Sequence, residues 1–376
     1  AKVQAPQIAV DNAPAADESE GVARQDHFLL MEDLTGRLKS PCVLDLKMGT
    51  RQYGLDATDA KKKSQTKKCD KTTSRSHGVR ICGMQVFDCK TESYIFQDKY
   101  YGRSVAPADF SKALARFFDN GEQLLLHHIP SIVQQLRQLA RIVHGLGGYR
   151  FYASSLLFIY DGACDIQNRL MQDFEHRVKL GIAGVPPHTV DSATASPAMT
   201  PADAGNALTP LLSTSADSQK AAAMSSPSAG GFGPSRKPRR RKGEMKIRII
   251  DFAHSTTGSD FRDPAEAEKQ LADSIEMEEY MARPVVRFPP SLRDGPDSGY
   301  LYGLKNLCGS FEDIWQSERE ARLISAEAGL GAAISAEERQ QAMNAADIGE
   351  LRVEDDGVFD EIFGQGPDGL KGYVSA

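Results

Sequence analysis

The rest of the chain is organised around Pro41-Cys42-Val43-Leu44-Asp45-Leu46-Lys47-Met48-Gly49. From Val43 to Met48, apolar residues alternate with Asp45 and Lys47, the period-two pattern of a β-strand with one buried face. Leu44 and Leu46 are therefore expected in a core, with Asp45 and Lys47 on the opposite face. An acid and a base two residues apart at the mouth of a strand, closed by Gly49, have the make-up of a proton acceptor beside a phosphate-binding cation. Taken alone, such a pair is more often a plain surface couple on a half-exposed strand. The choice between them rests on what accompanies it along the chain.

Upstream, residues 1–26 are rich in Ala, Pro, Asp and Glu without apolar periodicity, which predicts a disordered lead-in. Phe28-Leu29-Leu30-Met31 reads as a compact apolar strand running into Glu32-Asp33-Leu34-Thr35-Gly36. Downstream, residues 55–78 read as a polar, Lys-rich loop (Lys61-Lys62-Lys63, Lys67-Lys68), either solvated or lying beside an acidic ligand. Val79–Phe87 and Tyr94–Asp98 read as neighbouring strands. Pro107-Ala108-Asp109 opens a helix, with Asp109 as its cap and Phe110, Leu114, Phe117 and Phe118 at helical spacing; Asn120-Gly121 stops it. A second helix follows Pro130, with Ile132, Val133, Leu136, Leu139, Ile142 and Val143 on one face and Gly145 as terminator. His127, His128 and His144 read as packed or surface histidines, because no carboxylate or cysteine stands at ligand spacing.

Tyr149–Tyr160 is strand-like and holds Ser154-Ser155-Leu156-Leu157, and Arg169–Lys179 reads as a short helix. From Gly184 to Gly243 the composition turns to Ala, Ser, Thr and Pro, that of a disordered insert. It ends in Arg236-Lys237-Pro238-Arg239-Arg240-Arg241-Lys242, open to reading as a nuclear-import signal, an anion contact or a solvated charge run. Order returns at Met245–Phe252, where Ile247, Ile249 and Ile250 form an apolar strand that delivers Asp251-Phe252-Ala253-His254 at its end. Pro296–Leu304 precedes a helix through Phe311, Ile314 and Trp315. Residues 321–376 mix Ala and Glu helical stretches with Gly-rich acidic segments and carry no assignable role.

Composition narrows the function classes. The chain has 376 residues, is 40% hydrophobic and 26% charged, and carries a net charge of -6, an ordinary soluble make-up with room for two domains or one with large inserts. No apolar run reaches bilayer length and no segment resembles a secretory signal, so no membrane partner is expected. Six cysteines are scattered without Cys-x-x-Cys spacing, which predicts reduced, intracellular thiols rather than a disulfide framework or a zinc site. The basic clusters lack interleaved aromatics, so nucleic acid is not an expected partner either.

Three features recur in one order: an Asp-x-Lys strand, a Ser-Ser-Leu-Leu strand and an apolar strand ending in Asp-Phe. Phosphoryl transfer needs such parts. A carboxylate must hold a divalent metal against nucleotide phosphates, for which Asp251 is the candidate. An acid must orient the acceptor or take its proton, for which Asp45 is the candidate. A cation, Lys47, must neutralise charge on the transferring group.

Pro41, Asp45, Lys47 and Gly49 match the Pro-x-x-x-Asp-x-Lys-x-Gly signature of the inositol polyphosphate kinase family, which this chain resembles. Ser154–Leu157 and Ile250–His254 resemble the family's other two hallmark motifs. Val79–Gln85 and Gly299–Leu304 most resemble its inositol hexakisphosphate kinase branch, fungal forms especially. The resemblance covers residues 27–182 and 244–317.

It implies an α+β, kinase-like fold with nucleotide held between two lobes. Residues 29–35 would link the lobes, with Glu32 and Leu34 offering backbone bonds to adenine and Asp33 accepting from the ribose. Ser155 would support the metal and phosphate shell. Cofactors would be ATP and Mg²⁺, and the product a diphosphoinositol polyphosphate made from inositol hexakisphosphate. Lys47, Arg51, Lys61, Lys62, Lys63, Arg75 and Arg80 would serve so anionic a substrate.

In this family a small antiparallel sheet carrying a nucleotide-binding lysine precedes the linker. Here only residues 1–26 do, with Lys2 their sole lysine, so the small lobe is expected to be missing and the chain to be mainly large lobe. The expected organisation is a lead-in (1–26), linker and first part of the large lobe (27–182), an insert (183–243), a second part (244–320) and a tail (321–376). Two alternatives share these residues: a kinase of a less phosphorylated inositol (a trisphosphate kinase or multikinase), and a truncated, non-catalytic inositol phosphate-binding module. A cytoplasmic location is expected, with a nuclear one if the basic run is an import signal.

Overall fold

The computed structural model describes residues 28, 30–187, 243–257, 294–330 and 334–364. Two units are distinguished, residues 1–36 and 37–376. In the first, Phe28, Leu30 and Met31 are exposed and none belongs to a strand. The expected strand is corrected on physical grounds: apolar residues form one only where a neighbouring edge supplies hydrogen bonds.

The second unit is built on an antiparallel sheet. Its strands are β1 (Pro41–Met48), β2 (Val79–Asp88), β3 (Ser93–Gln97), β5 (Ser155–Asp161) and β6 (Lys246–Ile250), ordered β3-β2-β1-β5-β6. A two-residue strand, β4 (Arg150–Phe151), pairs separately with β7 (Ser255–Thr256). The alternation in β1 holds: Leu44, Leu46 and Met48 are wholly buried while Val43, Asp45 and Lys47 on the other face are half-buried. On the closed face these side chains join Ile81, Met84, Phe158 and Tyr160 in one core with α5 (Ile129–His144) and α7 (Ser298–Ala328). Edge-on aromatic contacts knit it, such as Phe118 against Phe311 at 5.8 Å and Phe117 against Tyr160 at 5.2 Å.

The expected Lys-rich loop is instead two helices, α1 (Asp59–Asp70) and α2 (Thr73–His77). The Thr58 hydroxyl accepts from Lys61 N at 3.3 Å, Asp59 lies in the first turn, and Lys67 and Lys68 lie in the last, each complementing the helix dipole. Only Cys69 is buried in α1, so there was no apolar stripe for periodicity to find. α3 (Lys99–Ser104) follows β3 and is capped by Asp98, which accepts from Tyr100 N and Tyr101 N. In α4 (Phe110–Ala115) the expected cap, Asp109, makes no side-chain capping bond, and Phe117 and Phe118 lie beyond the helix although both are fully buried. On α5, Ile142 faces solvent at 61% exposure rather than the core.

The thiol expectation is corrected for one pair. Cys89, just past β2, and Cys164, opening α6 (Cys164–Lys179), are disulfide-bonded with Cα atoms 5.8 Å apart across 75 residues of sequence. No local spacing could announce a bond made by folding two distant element ends together. Cys42, Cys69, Cys82 and Cys308 are free.

The expected boundary at residue 320 falls inside a helix. α7 runs on to Ala328, followed by α8 (Ala336–Ala346) and α9 (Val358–Phe363). Ile348, Val353, Val358 and Phe359 enter the same core, and the Trp315 indole donates to Gly349 O at 2.9 Å. Their apolar anchors are too few and too widely spaced among acids to make a period. At the edges of the expected insert, Ala183 is core and Gly184 O accepts from Arg352 N at 3.0 Å. The lead-in (1–26) and the basic run (236–242) lie outside the described residues.

Candidate active site

Register across the sheet assembles the site. Lys47 on β1 stands opposite Arg80 on β2 and Ser155 on β5, and Ser155 stands opposite Ile250 on β6. Directly opposed antiparallel residues point to the same face. One row of the open face therefore reads Arg80, Lys47, Ser155, Ile250, with Asp251 one residue beyond. The Lys47 ammonium donates to Ser155 Oγ at 3.2 Å and to Asp251 Oδ2 at 2.7 Å. Lys47 and Asp251, 204 positions apart in sequence, thus meet in one ion pair.

Asp45 lies one step along the same face. A register shift between Asp45 and Leu46 pairs them with Gly83 and Ile81, leaving Cys82 as the extra residue of a bulge; such bulges re-aim side chains beside functional sites. Asp45 Oδ1 is buried without a hydrogen-bond partner. Burial, first of all, raises the Asp45 carboxyl above the ordinary carboxylate value. The Ser155 hydroxyl and the Lys47 charge oppose that rise, and the negative charge of Asp251 adds to it. A desolvated carboxylate with an open lone pair is a stronger proton acceptor than a solvated one.

Asp251 is held in an unusual conformation. Its backbone sits at φ 65 and ψ 62, left-handed for a non-glycine residue, where it caps a single 3₁₀ turn over Phe252–His254. Such a conformation is worth on the order of 1–3 kcal/mol of strain and persists only where the surroundings over-determine it. His254 at the end of that turn lies 3.5 Å from the Lys61 ammonium through Nε2, which ties α1 to the Asp251 turn.

A divalent metal fits this donor set. Asp45 and Asp251 offer carboxylates and Ser155 a hydroxyl, all hard oxygen donors, and Asp45 has an oxygen with nothing on it. Among the described residues there is no cluster of three or more acidic, His or Cys ligands. A metal held here would be completed by phosphate oxygens, the arrangement Mg²⁺ favours in nucleotide sites.

The predicted substrate cations divide. Arg80 is buried beside Lys47 and donates to Ser74 Oγ at 3.1 Å. Lys61, Lys63 and Arg75 are exposed on α1 and α2, and Lys62 reaches Asp59 at 3.5 Å. Arg51 is occupied elsewhere. Its guanidinium lies 4.6 Å from the Tyr53 ring and 4.4 Å from the Tyr152 ring, and it donates to Tyr53 O and Gly54 O, so it shapes the loop after Gly49. Sequence reading missed Lys99 and Arg103 on α3. Both lie near enough to Lys68 and Arg80 to act on the Lys68 ammonium, which burial, and then the charges of Arg103, Arg80 and Lys99, pull below its usual value. In the other unit, Asp33 Oδ1 accepts from Thr35 N and Gly36 N, both at 2.9 Å, and these bonds hold its carboxyl below the usual value. Glu32 is exposed and Leu34 half-buried.

With this geometry in place, comparison with known proteins is decisive about family. Residues 28–312 match the model of the inositol polyphosphate kinases. The chain belongs to the inositol polyphosphate kinase family. The rat protein named inositol hexakisphosphate kinase 1 is 36% identical over 288 residues, spanning 76% of this chain and 51% of its own length. An uncharacterised inositol polyphosphate kinase of Schizosaccharomyces pombe is 53% identical over 152 residues, 39% of this chain and 16% of that protein. The Saccharomyces cerevisiae protein named inositol hexakisphosphate kinase 1 is 49% identical over 144 residues, 38% of this chain and 14% of its own length. The chain thus spans about half the length of the rat relative, and less of the two yeast ones. Among solved structures, the S. cerevisiae inositol phosphate multikinase Ipk2, crystallised with ADP and Mn²⁺, aligns over 75% of this chain and 81% of its own, at 19% identity and a TM-score of 0.40. The family match ends at residue 312, so the C-terminal half of α7, with α8 and α9, lies beyond it.

Proposed function

We propose that this chain carries the phosphoryl-transfer site of an ATP-dependent inositol hexakisphosphate kinase, forming a diphosphoinositol polyphosphate. The observation that carries the reading is the Lys47 ammonium held between Ser155 Oγ and Asp251 Oδ2, beside the unpartnered, buried oxygen of Asp45. Asp45 orients the acceptor oxygen, or takes its proton where it carries one. Lys47 neutralises charge on the phosphoryl group in transfer, an interaction that grows as charge develops and so lowers the barrier rather than merely tightening binding. Asp251, with Asp45 and Ser155 beside it, would hold Mg²⁺, which when bound would supply counter-charge to the nucleotide phosphates. Half-buried Leu157 and Ile250 on the same face offer an apolar floor next to these groups. Lys61, Lys68, Arg80, Lys99 and Arg103 form a basic rim suited to an acceptor with many phosphates. The relatives' names support the hexakisphosphate as that acceptor.

The test is incubation of the chain with ATP, Mg²⁺ and inositol hexakisphosphate, with detection of a diphosphate product. Product that disappears in Asp251→Asn supports the reading. Product from an inositol trisphosphate but none from the hexakisphosphate would place the chain with the trisphosphate kinases or multikinases. Tight inositol phosphate binding without turnover would make it a non-catalytic binding module.

A further inference from the structure

Three observations converge on Asp297, which no step above uses. It is buried, and its two carboxylate oxygens point to two different elements: Oδ2 accepts from Phe151 N on β4 at 2.8 Å, and Oδ1 accepts from Tyr300 N in the first turn of α7 at 3.0 Å. β4 is the strand on which β7 is paired, Phe151 opposite Ser255 and Arg150 opposite Thr256. Asp251 lies between β6, anchored on β5, and β7, anchored on β4. Its left-handed backbone is thus clamped at both ends, and the second clamp hangs from Asp297.

The same helix start abuts the other half of the site. The backbone of Gly299 and Tyr300 lies about van der Waals distance from where a side chain on Gly49 would begin, 3.9 Å. One turn on, Gly303 meets Gly78 so closely that an added Cβ on either would fall 2.7 Å or less from the other's backbone. Gly49 N donates to Gly78 O at 2.7 Å, which closes the triangle. The Gly-Tyr-Leu-Tyr-Gly-Leu motif therefore serves as an abutment: its two glycines, one helical turn apart, let α7 reach the backbone that ends β1. The Phe151 and Tyr300 rings, 5.5 Å apart, fill the angle between the two anchors.

We propose that Asp297 is a positioning residue: by fixing β4 to the first turn of α7 it holds the β7 end of the Asp251 turn, and through the same turn it registers Asp251 against the Gly49 end of β1. Asparagine cannot replace it. An amide has one acceptor oxygen, and its NH₂ would face an N–H donor at Phe151 or Tyr300. A site group displaced by about 1 Å loses on the order of 10²-fold in rate.

The proposal rests on the kinase reading only for its kinetic arm. The structural arm is amide hydrogen exchange on the whole chain. In Asp297→Asn, residues 250–256 are expected to exchange at least tenfold faster, while residues 43–48 on β1 keep their protection. The kinetic arm expects kcat to fall tenfold or more, and the Mg²⁺ concentration for half-maximal rate to rise, with KM for inositol hexakisphosphate within twofold. Asp297→Glu, which keeps two acceptors on a longer stem, should recover part of kcat. A folded Asp297→Asn with unchanged protection at 250–256 would overturn the proposal, as would a fall in kcat matched by an equal rise in KM. Should both variants fail to fold, the wild-type chain decides. The Phe151 amide must be as slow to exchange as the β1–β5 ladder, and exchange at the rate of an exposed loop would refute the anchor. An inactive wild-type chain with the expected exchange pattern would reject the kinase reading and leave the anchor standing.

Discussion

The two faces of the five-stranded sheet differ in everything except their backbone. One is closed by α5 and α7 and carries Leu44, Leu46, Met48, Ile81 and Phe158, all without solvent exposure. The other carries Asp45, Lys47, Arg80 and Ser155, with an unsatisfied carboxylate oxygen and, at its margin, a residue in a left-handed conformation. Strand parity lets one segment do both jobs, because each residue that faces the core is followed by one that faces the site. Stability and chemistry are separated here by the period of the strand rather than by distance. Substitutions on adjacent residues should therefore have opposite signatures.

Leu46→Ala gives the largest expected effect. Removing a fully buried leucine costs about 2–5 kcal/mol in stability, lost transfer energy plus the cavity left behind. Chemical denaturation should report that loss, while the folded protein keeps its kcat. A collapse of kcat at full foldedness would break the separation of faces. Its neighbour should do the reverse. Lys47→Met is expected to lower kcat by about 10²–10³-fold. Stability should move by no more than about 1 kcal/mol, because the ion pair it removes ends on an Asp251 side chain that is 57% exposed. A loss of stability like that of Leu46→Ala would show that Lys47 is structural.

That contrast also explains what could be read from sequence. The closed face announces itself by period, so β1, β2, β5, β6 and α5 were legible, and the three motifs fixed which strand ends meet. α1 was illegible because its stability comes from a Thr58 cap, charge placement and lysine's helix propensity, none of which writes an apolar stripe. Cys89–Cys164 and the burial of Ile348 and Val353 were illegible for another reason. Each depends on a long-range meeting whose partner is not marked locally. Around Arg51 the surroundings were illegible, because a guanidinium near a motif looks the same in sequence whether it faces an anion or, as here, two tyrosine rings.

The faces should also respond oppositely to pH. On the closed side, His128 packs 5.0 Å from the Tyr160 ring, donates from Nε2 to Gln167 Oε1 at 3.2 Å, and has its imidazole pushed down to about 3 by burial. Between the ordinary histidine value and about 3, the unfolded chain takes a proton that the folded chain refuses. Stability is therefore intact above about pH 6.5 and is lost as pH falls below it, by up to about 2 kcal/mol at pH 5 from this residue. Melting temperatures of the wild type and His128→Gln, compared between pH 7 and 5, should show a flatter acid limb in the variant. Equal slopes would mean that His128 titrates freely.

The smallest effect belongs to the open face and runs the other way. Burial raises the Asp45 carboxyl, so at a pH below the ordinary carboxylate value both folded and unfolded chains are protonated and burial carries no charge penalty. As pH rises through the window between the unfolded value and the raised folded one, the unfolded chain ionises first and the folded state loses ground. Asp45→Asn removes that loss. It should gain stability at pH 7, gain nothing near pH 3, and abolish phosphoryl transfer at both. The gain is capped because Lys47 and Ser155 already offset part of the burial penalty. A variant stabilised equally at both pH values would place the gain in packing rather than charge. A variant destabilised at pH 7 would show that the Lys47 attraction outweighs burial, and that the open face is held together by its charges rather than merely tolerating them.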